Sequence, residues 1–282
     1  MDKDINYQAF LDVTFQSIVQ RRHISSKNVK SIISQREEIY VVVATPKSGS
    51  TFLSNVLSKT RKLPYIPLCY AYGSNEHDLY FPSLVAASKT GAVSQLHMKA
   101  TPDNVNLLNF FSLRPIILTR NLFDSIESLA RDIEKKLSAG DLGTGIHGYS
   151  FVWLTEDISN LDFEGIVDYI IDFALPWYVN FYTSWQSFSS KKIINPYFVR
   201  YENLMSHKED TIKEIIKNIG FVADQKIPKE ILDRNYLSNT KSISTGSGVS
   251  GMGKKNLSKR QLDKINRLLN YYKSFDFSNW LD

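Results

Sequence analysis

Cysteine is almost absent from this sequence. Cys69 is the only one in 282 residues, so no disulfide can close within the chain and nothing points to an oxidising compartment. Long apolar runs are missing as well: no stretch approaches the ~20 consecutive apolar residues that span a bilayer. The opening residues, MDKDINYQAFLDVTF, carry charge and lack the apolar core of a secretory signal. Together these absences lead to the expectation of a cytoplasmic protein with no membrane partner. A strong charge excess is also lacking. The net charge of +5 is modest and dispersed, and does not demand a nucleic-acid partner.

What is present describes an ordinary folded domain, with 43% hydrophobic and 22% charged residues. The length allows one full core, and a single domain over 1–282 is expected. Its N-terminal segment, 1–38, reads as amphipathic helix followed by a polar linker. No internal repeat or low-complexity tract interrupts it.

The chain is organised around Ile39 to Leu57, IYVVVATPKSGSTFLSNVL. Ile39 to Val43 is a continuous apolar run, the pattern of a strand buried on both faces in a parallel sheet. Phe52, Leu53, Val56 and Leu57 then recur at helical spacing. A strand, a tight loop rich in Gly, Ser, Thr and Lys, and a helix start together form an anion cradle, because free backbone N–H groups and the helix dipole converge on one spot. A Walker A loop, G-x-x-x-x-G-K-[ST], places its lysine beside the final hydroxyl to reach the β and γ phosphates. Here Gly49 and Thr51 fit that frame, but Ala44 replaces the first glycine. Ser50 replaces the lysine, which stands three residues earlier at Lys47. A cation there faces one terminal phosphate and the bond leaving it, which suits a donor with a single 5′-phosphate carrying a transferable group. The alternative is a generic βα turn with a lysine on its solvated rim.

Further strand–helix units follow. Gly91 to His97 reads as a second buried strand, Pro102 to Phe111 as a helix capped by Thr101, and Pro115 to Thr119 as a third strand. Asn121 is expected to cap the next helix, with Asp124 in the capping-box position. Asp162 to Phe188 reads as a long aromatic helical region broken at Pro176. Trp177, Tyr178 and Trp185 lie there at a spacing that fits core packing. Tyr197 to Arg200 is a late strand, and Ser258 opens a C-terminal helix. The segments 138–160 and 241–257 read as flexible loops. The alternation predicts an α/β fold of three layers, a central parallel sheet flanked by helices in the P-loop NTPase-like manner. Ligands then bind at the carboxyl ends of the strands, where Lys47, His97 and Arg120 fall.

Thr45-Pro46-Lys47-Ser48-Gly49-Ser50-Thr51-Phe52 resembles the 5′-phosphosulfate loop of sulfotransferases, T-Y-P-K-S-G-T-T-W. Arg120-Asn121-Leu122-Phe123-Asp124, with Ser128 beyond it, resembles their 3′-phosphate motif, R-N-P-x-D-x-x-x-S. A second phosphate needs a guanidinium fork and a hydroxyl, and both are there. Gln95-Leu96-His97 resembles the K-T-H segment whose histidine accepts the acceptor's proton. Gln95 stands where the family often has lysine, so further cationic help falls to Lys47 or Lys99. Imidazole suits a base near neutral pH; the other histidines, His77 among them, have no such context. The resemblance implies that Phe52 takes the place of an adenine-stacking tryptophan, although a core role fits Phe52 equally. Tyr201-Glu202-Asn203 resembles the Y-E-D segment, which implies an adenine-side role for Tyr201. The glycine-rich stretch from Thr245 to Asn256 resembles the family's R-K-G-x-x-G-D-W-K-N loop without its Arg-Lys, leaving the backbone N–H groups of Ser247, Gly248 and Val249, with Lys254 or Lys255, to contact the anion.

The resemblance implies a PAPS-dependent sulfotransferase that moves a sulfuryl group from 3′-phosphoadenosine 5′-phosphosulfate (PAPS, product PAP) to a hydroxyl or amine. Lys47 and His97 would be catalytic. The expected cofactor site is Lys47, Ser48, Gly49, Ser50, Thr51, Phe52, Arg120, Ser128, Tyr201, Ser247, Gly248 and Lys254, with no metal. The acceptor is a small molecule or a glycan; its identity and the oligomeric state stay open. Two alternatives remain: a nucleotide kinase or NTPase on the same fold, and a non-catalytic phosphonucleotide binder.

Overall fold

In a computed structural model, the chain is described over residues 36–70, 76–139, 156–223, 226–233 and 251–281. The N-terminal helical segment and most of both glycine-rich loops, including Ser247 and Gly248, lie outside the described residues. Among the described residues four strands form one parallel sheet: β1 (Ile39–Ala44), β2 (Ala92–Leu96), β3 (Ile116–Thr119) and β4 (Tyr197–Arg200), in the order β2-β1-β3-β4. Val42 of β1 lies opposite Gln95 on one side and Ile116 on the other, and Thr119 of β3 lies opposite Arg200.

Alternation along β1 explains the layers. Ile39, Val41 and Val43 enter one hydrophobic cluster, while Tyr40, Val42 and Ala44 enter the other. A strand whose successive side chains face opposite ways can be wholly apolar only when helices cover both sides. Burying each such valine contributes on the order of 1.5–3 kcal/mol. The expected three-layer α/β architecture is what forms.

The helices are α1 (Ser50–Arg61), α2 (Phe81–Thr90), α3 (Pro102–Phe110), α4 (Leu122–Ser138), α5 (Phe163–Phe173), α6 (Leu175–Ser190), α7 (Tyr201–Ser206), α8 (Lys208–Asn218), α9 (Lys229–Leu232), α10 (Gly253–Asn256), α11 (Lys259–Leu269) and α12 (Ser278–Leu281). Most boundaries follow local signals. Thr101 accepts from the Asn104 amide, Asn121 from the Asp124 amide, and Ser258 forms a full capping box with Gln261. The aromatic region splits at Ala174 into α5 and α6, with Pro176 in the first turn of α6, where its missing N–H is harmless. Other boundaries follow tertiary contact: α2 begins only at Phe81, after Leu79 is held in a bridge with Cys69. The loop expected over 241–257 also ends in a helical turn, α10.

Topology fixes where a ligand can sit. The chain leaves β1 for β2 on one side, then crosses back to β3 on the other. The carboxyl ends of β1 and β3 therefore flank a switch point, the crevice that open α/β sheets use for binding.

Candidate active site

The loop from Thr45 to Gly49 is stiffened from within. Thr45 and Ser48 share a hydroxyl hydrogen bond of 2.7 Å, and both are buried. Lys47 and Gly49 hold positive φ angles of 67° and 84°. At Gly49 a side chain is excluded twice over, by that angle and because a Cβ would lie 2.6 Å from the Tyr201 ring. Gly49 caps α1 without a side-chain hydrogen bond, and no acid occupies the first turn, so the orphan amides of Ser50, Thr51 and Phe52 keep their anion-binding polarity.

Arg120, one strand across, meets this loop directly. Its Nη1 donates to the Lys47 carbonyl at 3.0 Å, and its guanidinium carbon lies 4.7 Å from the Tyr201 ring centroid. Arg120 Nε and the Tyr201 hydroxyl are buried without a hydrogen-bond partner. Orphaned buried donors carry a desolvation cost of about 1–3 kcal/mol each unless something accepts from them. Lys47, Arg120 and Tyr201 thus come together. Asp124 faces the C-terminal segment, accepting from the amides of Gly251 and Gly253 at 2.8 Å each. Ser128 is half-buried about two turns further along α4.

His97 follows β2 and is 8% exposed. Its Nδ1 sits 2.7 Å from the Ala44 carbonyl, which can only accept, so Nδ1 carries the hydrogen and neutral Nε2 carries the lone pair. Nε2 lies 3.5 Å from the Gln95 amide nitrogen, and the Gln95 oxygen accepts from the Thr51 hydroxyl at 3.3 Å. A polar chain therefore runs from the loop to the imidazole. Burial pushes the His97 pKa down to about 4; the Ala44 hydrogen bond opposes this and the neighbouring His77 adds to it. The ring is neutral at pH 7 and competent to accept a proton.

Several partners escaped sequence reasoning. His77, which lacked any motif, stacks on His97 with ring centroids 5.6 Å apart. The His97 amide donates to His77 Nδ1 at 2.8 Å, and the His77 amide to the His97 carbonyl at 2.9 Å. Tyr178 is core by burial, as expected, yet its hydroxyl donates to the Pro46 carbonyl at 3.1 Å and so braces the loop. Asp132 of α4 forms an ion pair with Lys47 at 3.2 Å. Burial draws the Lys47 pKa below its ordinary value, with Asp132 opposing. None of these carries a local signal, because each pairs side chains distant in sequence.

Two expectations need adjustment. Phe52 is 2% exposed within the core cluster, with the Lys208 ammonium 5.8 Å from its ring centroid; the core role fits it better than an open stacking face. Lys254 is exposed and lies over the Phe123 ring, 5.5 Å from its centroid, at the N-terminal end of α4. Among the described residues no cluster of His, Cys, Asp and Glu has the makings of a metal site.

No family model and no curated protein matches the sequence. Solved structures do match. The chain is similar to mouse sulfotransferase SULT7A1 complexed with PAP, with a TM-score of 0.54 at 15% identity, over 90% of this chain and 92% of that one. It is also similar to retinol dehydratase in complex with androsterone and the inactive cofactor PAP, with a TM-score of 0.51 at 12% identity, over 87% and 84% of the two chains. The fold is that of these proteins: a central parallel sheet with helices on both faces.

Proposed function

We propose that this protein is a sulfotransferase that moves a sulfuryl group from PAPS to a hydroxyl or amine of a small-molecule acceptor. The observation that carries the reading is the contact between the two expected phosphate docks. Arg120 donates to the Lys47 carbonyl while keeping a buried Nε without a partner. A nucleoside bearing phosphates at both ends fits that arrangement. The orphan amides of α1 suit its 5′ end, and Arg120, Tyr201 and Ser128 suit its adenosine 3′-phosphate end. That solved structures of this fold are complexed with PAP supports the same ligand.

When bound, the donor supplies a sulfuryl group attached to a phosphate leaving group. His97 Nε2 accepts the proton of the attacking hydroxyl, with its Nδ1–H anchored on Ala44. Lys47 and the loop amides stabilise the negative charge that develops on the departing phosphate oxygen, an electrostatic contribution of the kind that dominates group transfer. Tyr178 holds Pro46, and with it the loop, in place. Cys69 is buried, and burial raises its thiol pKa to about 11, which fits an inert thiol in a reducing cytoplasm.

The test is calorimetric titration with PAP in EDTA, followed by transfer assays with radiolabelled PAPS against a panel of phenols, sterols and amines. Tight metal-independent binding and a labelled product are expected. His97→Ala and Lys47→Ala should each lower turnover by about 10²-fold or more with folding retained. Turnover of ATP that requires magnesium would replace this reading with a kinase or NTPase, and PAP binding without transfer to any acceptor would leave a phosphonucleotide binder.

A further inference from the structure

The proposed catalytic ammonium already has an anion beside it. Lys47 Nζ pairs with Asp132 Oδ1 at 3.2 Å, both side chains being only 15% exposed. Asp132 lies about three helical turns into α4, away from the helix start that follows Arg120. The Lys47 backbone is therefore held at the Arg120 end by its carbonyl, while its ammonium is drawn along α4 to the carboxylate. The other Asp132 oxygen pairs with Lys136 at 3.3 Å, and Lys136 is 46% exposed. Asp132 thus stands between two cations, one in the loop and one at the surface.

We propose that Asp132 is a positioning residue that competes with the 5′ anion of the nucleotide for Lys47, with Lys136 as the partner that retains Asp132 when the loop lysine turns away. The inference rests on the sulfotransferase reading above, and it concerns a charge balance that reading does not require. An ammonium cannot give its full Coulomb interaction to two anions at different sites, so each weakens its hold on the other. Leaving a half-dry carboxylate with no partner is costly, and Lys136 removes that cost. The expected signs are therefore opposite for two neighbouring residues. Removing the Asp132 charge frees Lys47 for the ligand. Removing Lys136 takes one cation from Asp132 and tightens its pairing with Lys47.

The experiment is titration calorimetry of the full chain with two probes, PAP and adenosine 3′-monophosphate, which lacks the 5′ group. Asp132→Asn should bind PAP about three- to tenfold more tightly, with adenosine 3′-monophosphate unchanged. Lys136→Met should weaken PAP binding about two- to threefold, and that effect should vanish when combined with Asp132→Asn. Equal tightening of both probes in Asp132→Asn would overturn the proposal in favour of a general field effect. So would unchanged or weaker PAP binding by Asp132→Asn when the wild type binds PAP. If Asp132→Asn does not fold, Lys136→Met decides through the two probes: weaker PAP binding with adenosine 3′-monophosphate unchanged supports the proposal, and equal weakening of both overturns it. Failure of the wild-type chain to bind PAP at all is a separate result: it removes the functional reading itself, and this inference with it.

Discussion

A protonated His97 cannot accept a proton, so its resting ionisation sets the acid limit of the proposed reaction. With the free-protein pKa near 4, kcat/KM should stay level as pH falls from 8 to about 5, where an ordinary histidine base would already have lost most of its activity. An acid limb near 6.5 in the pH profile would contradict the buried, Ala44-bonded ring. The same shift acts on stability. Because the folded pKa lies below the ordinary histidine value of 6.5, the unfolded chain binds the proton more readily. The contribution of neutral His97 is complete above about pH 6.5 and is lost as pH falls toward 4, by roughly 3 kcal/mol. Urea denaturation of wild type and His97→Gln between pH 7 and 4.5 measures it, and the variant should show the weaker pH dependence. His77 shares this environment. His77→Ala should lower kcat more than it raises KM, since it removes the group that accepts from the His97 amide.

Docking of the C-terminal segment on α4 draws on the Asp124 carboxylate and on the missing side chain of Gly253. Asp124 accepts from Gly251 and Gly253, and a Cβ at Gly253 would sit 2.3 Å from the Phe123 carbonyl carbon. Backbone cannot yield there as a flexible side chain would. Gly253→Ala and Asp124→Asn are therefore both expected to loosen residues 251–257, by about 1–3 kcal/mol for the lost charge-assisted hydrogen bonds. Hydrogen exchange should show faster exchange confined to this segment and the first turn of α4. Unchanged protection in both variants would mean that the docking has another source. At the other end of the same segment, Asn256 donates to Glu127 at 2.6 Å, so α4 grips α10 at two successive turns.

At the scale of the molecule, the sheet separates two apolar layers, and the proposed ligand would join the ends of β1 and β3 across their boundary. Such a ligand binds the folded chain only. PAP at a hundred times its dissociation constant should therefore stabilise the protein by about 2.7 kcal/mol, read as a rise of a few degrees in Tm. The shift should be the same with magnesium and with EDTA, and smaller at high salt, because the contacts are ionic. A shift that appears only with magnesium would point to nucleotide triphosphate chemistry. No helix among the described residues is long and apolar enough to cross a membrane.

The sequence by itself determined the strand–loop–helix units, their caps, and the places where Lys47, His97 and Arg120 leave the sheet. Those features depend on demands met within a few residues: alternation in a two-sided strand, orphan amides at a helix start, a glycine where φ is positive. They also determined that the two docks follow the first and third strands, though only the order β2-β1-β3-β4 brought Arg120 against the Lys47 carbonyl. The partners of the groups around the loop were decided by tertiary structure alone. Lys47 finds Asp132, His97 finds His77, the Pro46 carbonyl finds Tyr178, and Asp124 finds the glycine segment more than a hundred residues away. Periodicity tells which face of a helix is buried, but not which neighbour it meets. That neighbour is set by how the helices stack across the sheet, and so the balance of charge around the loop became legible only when the chain was folded.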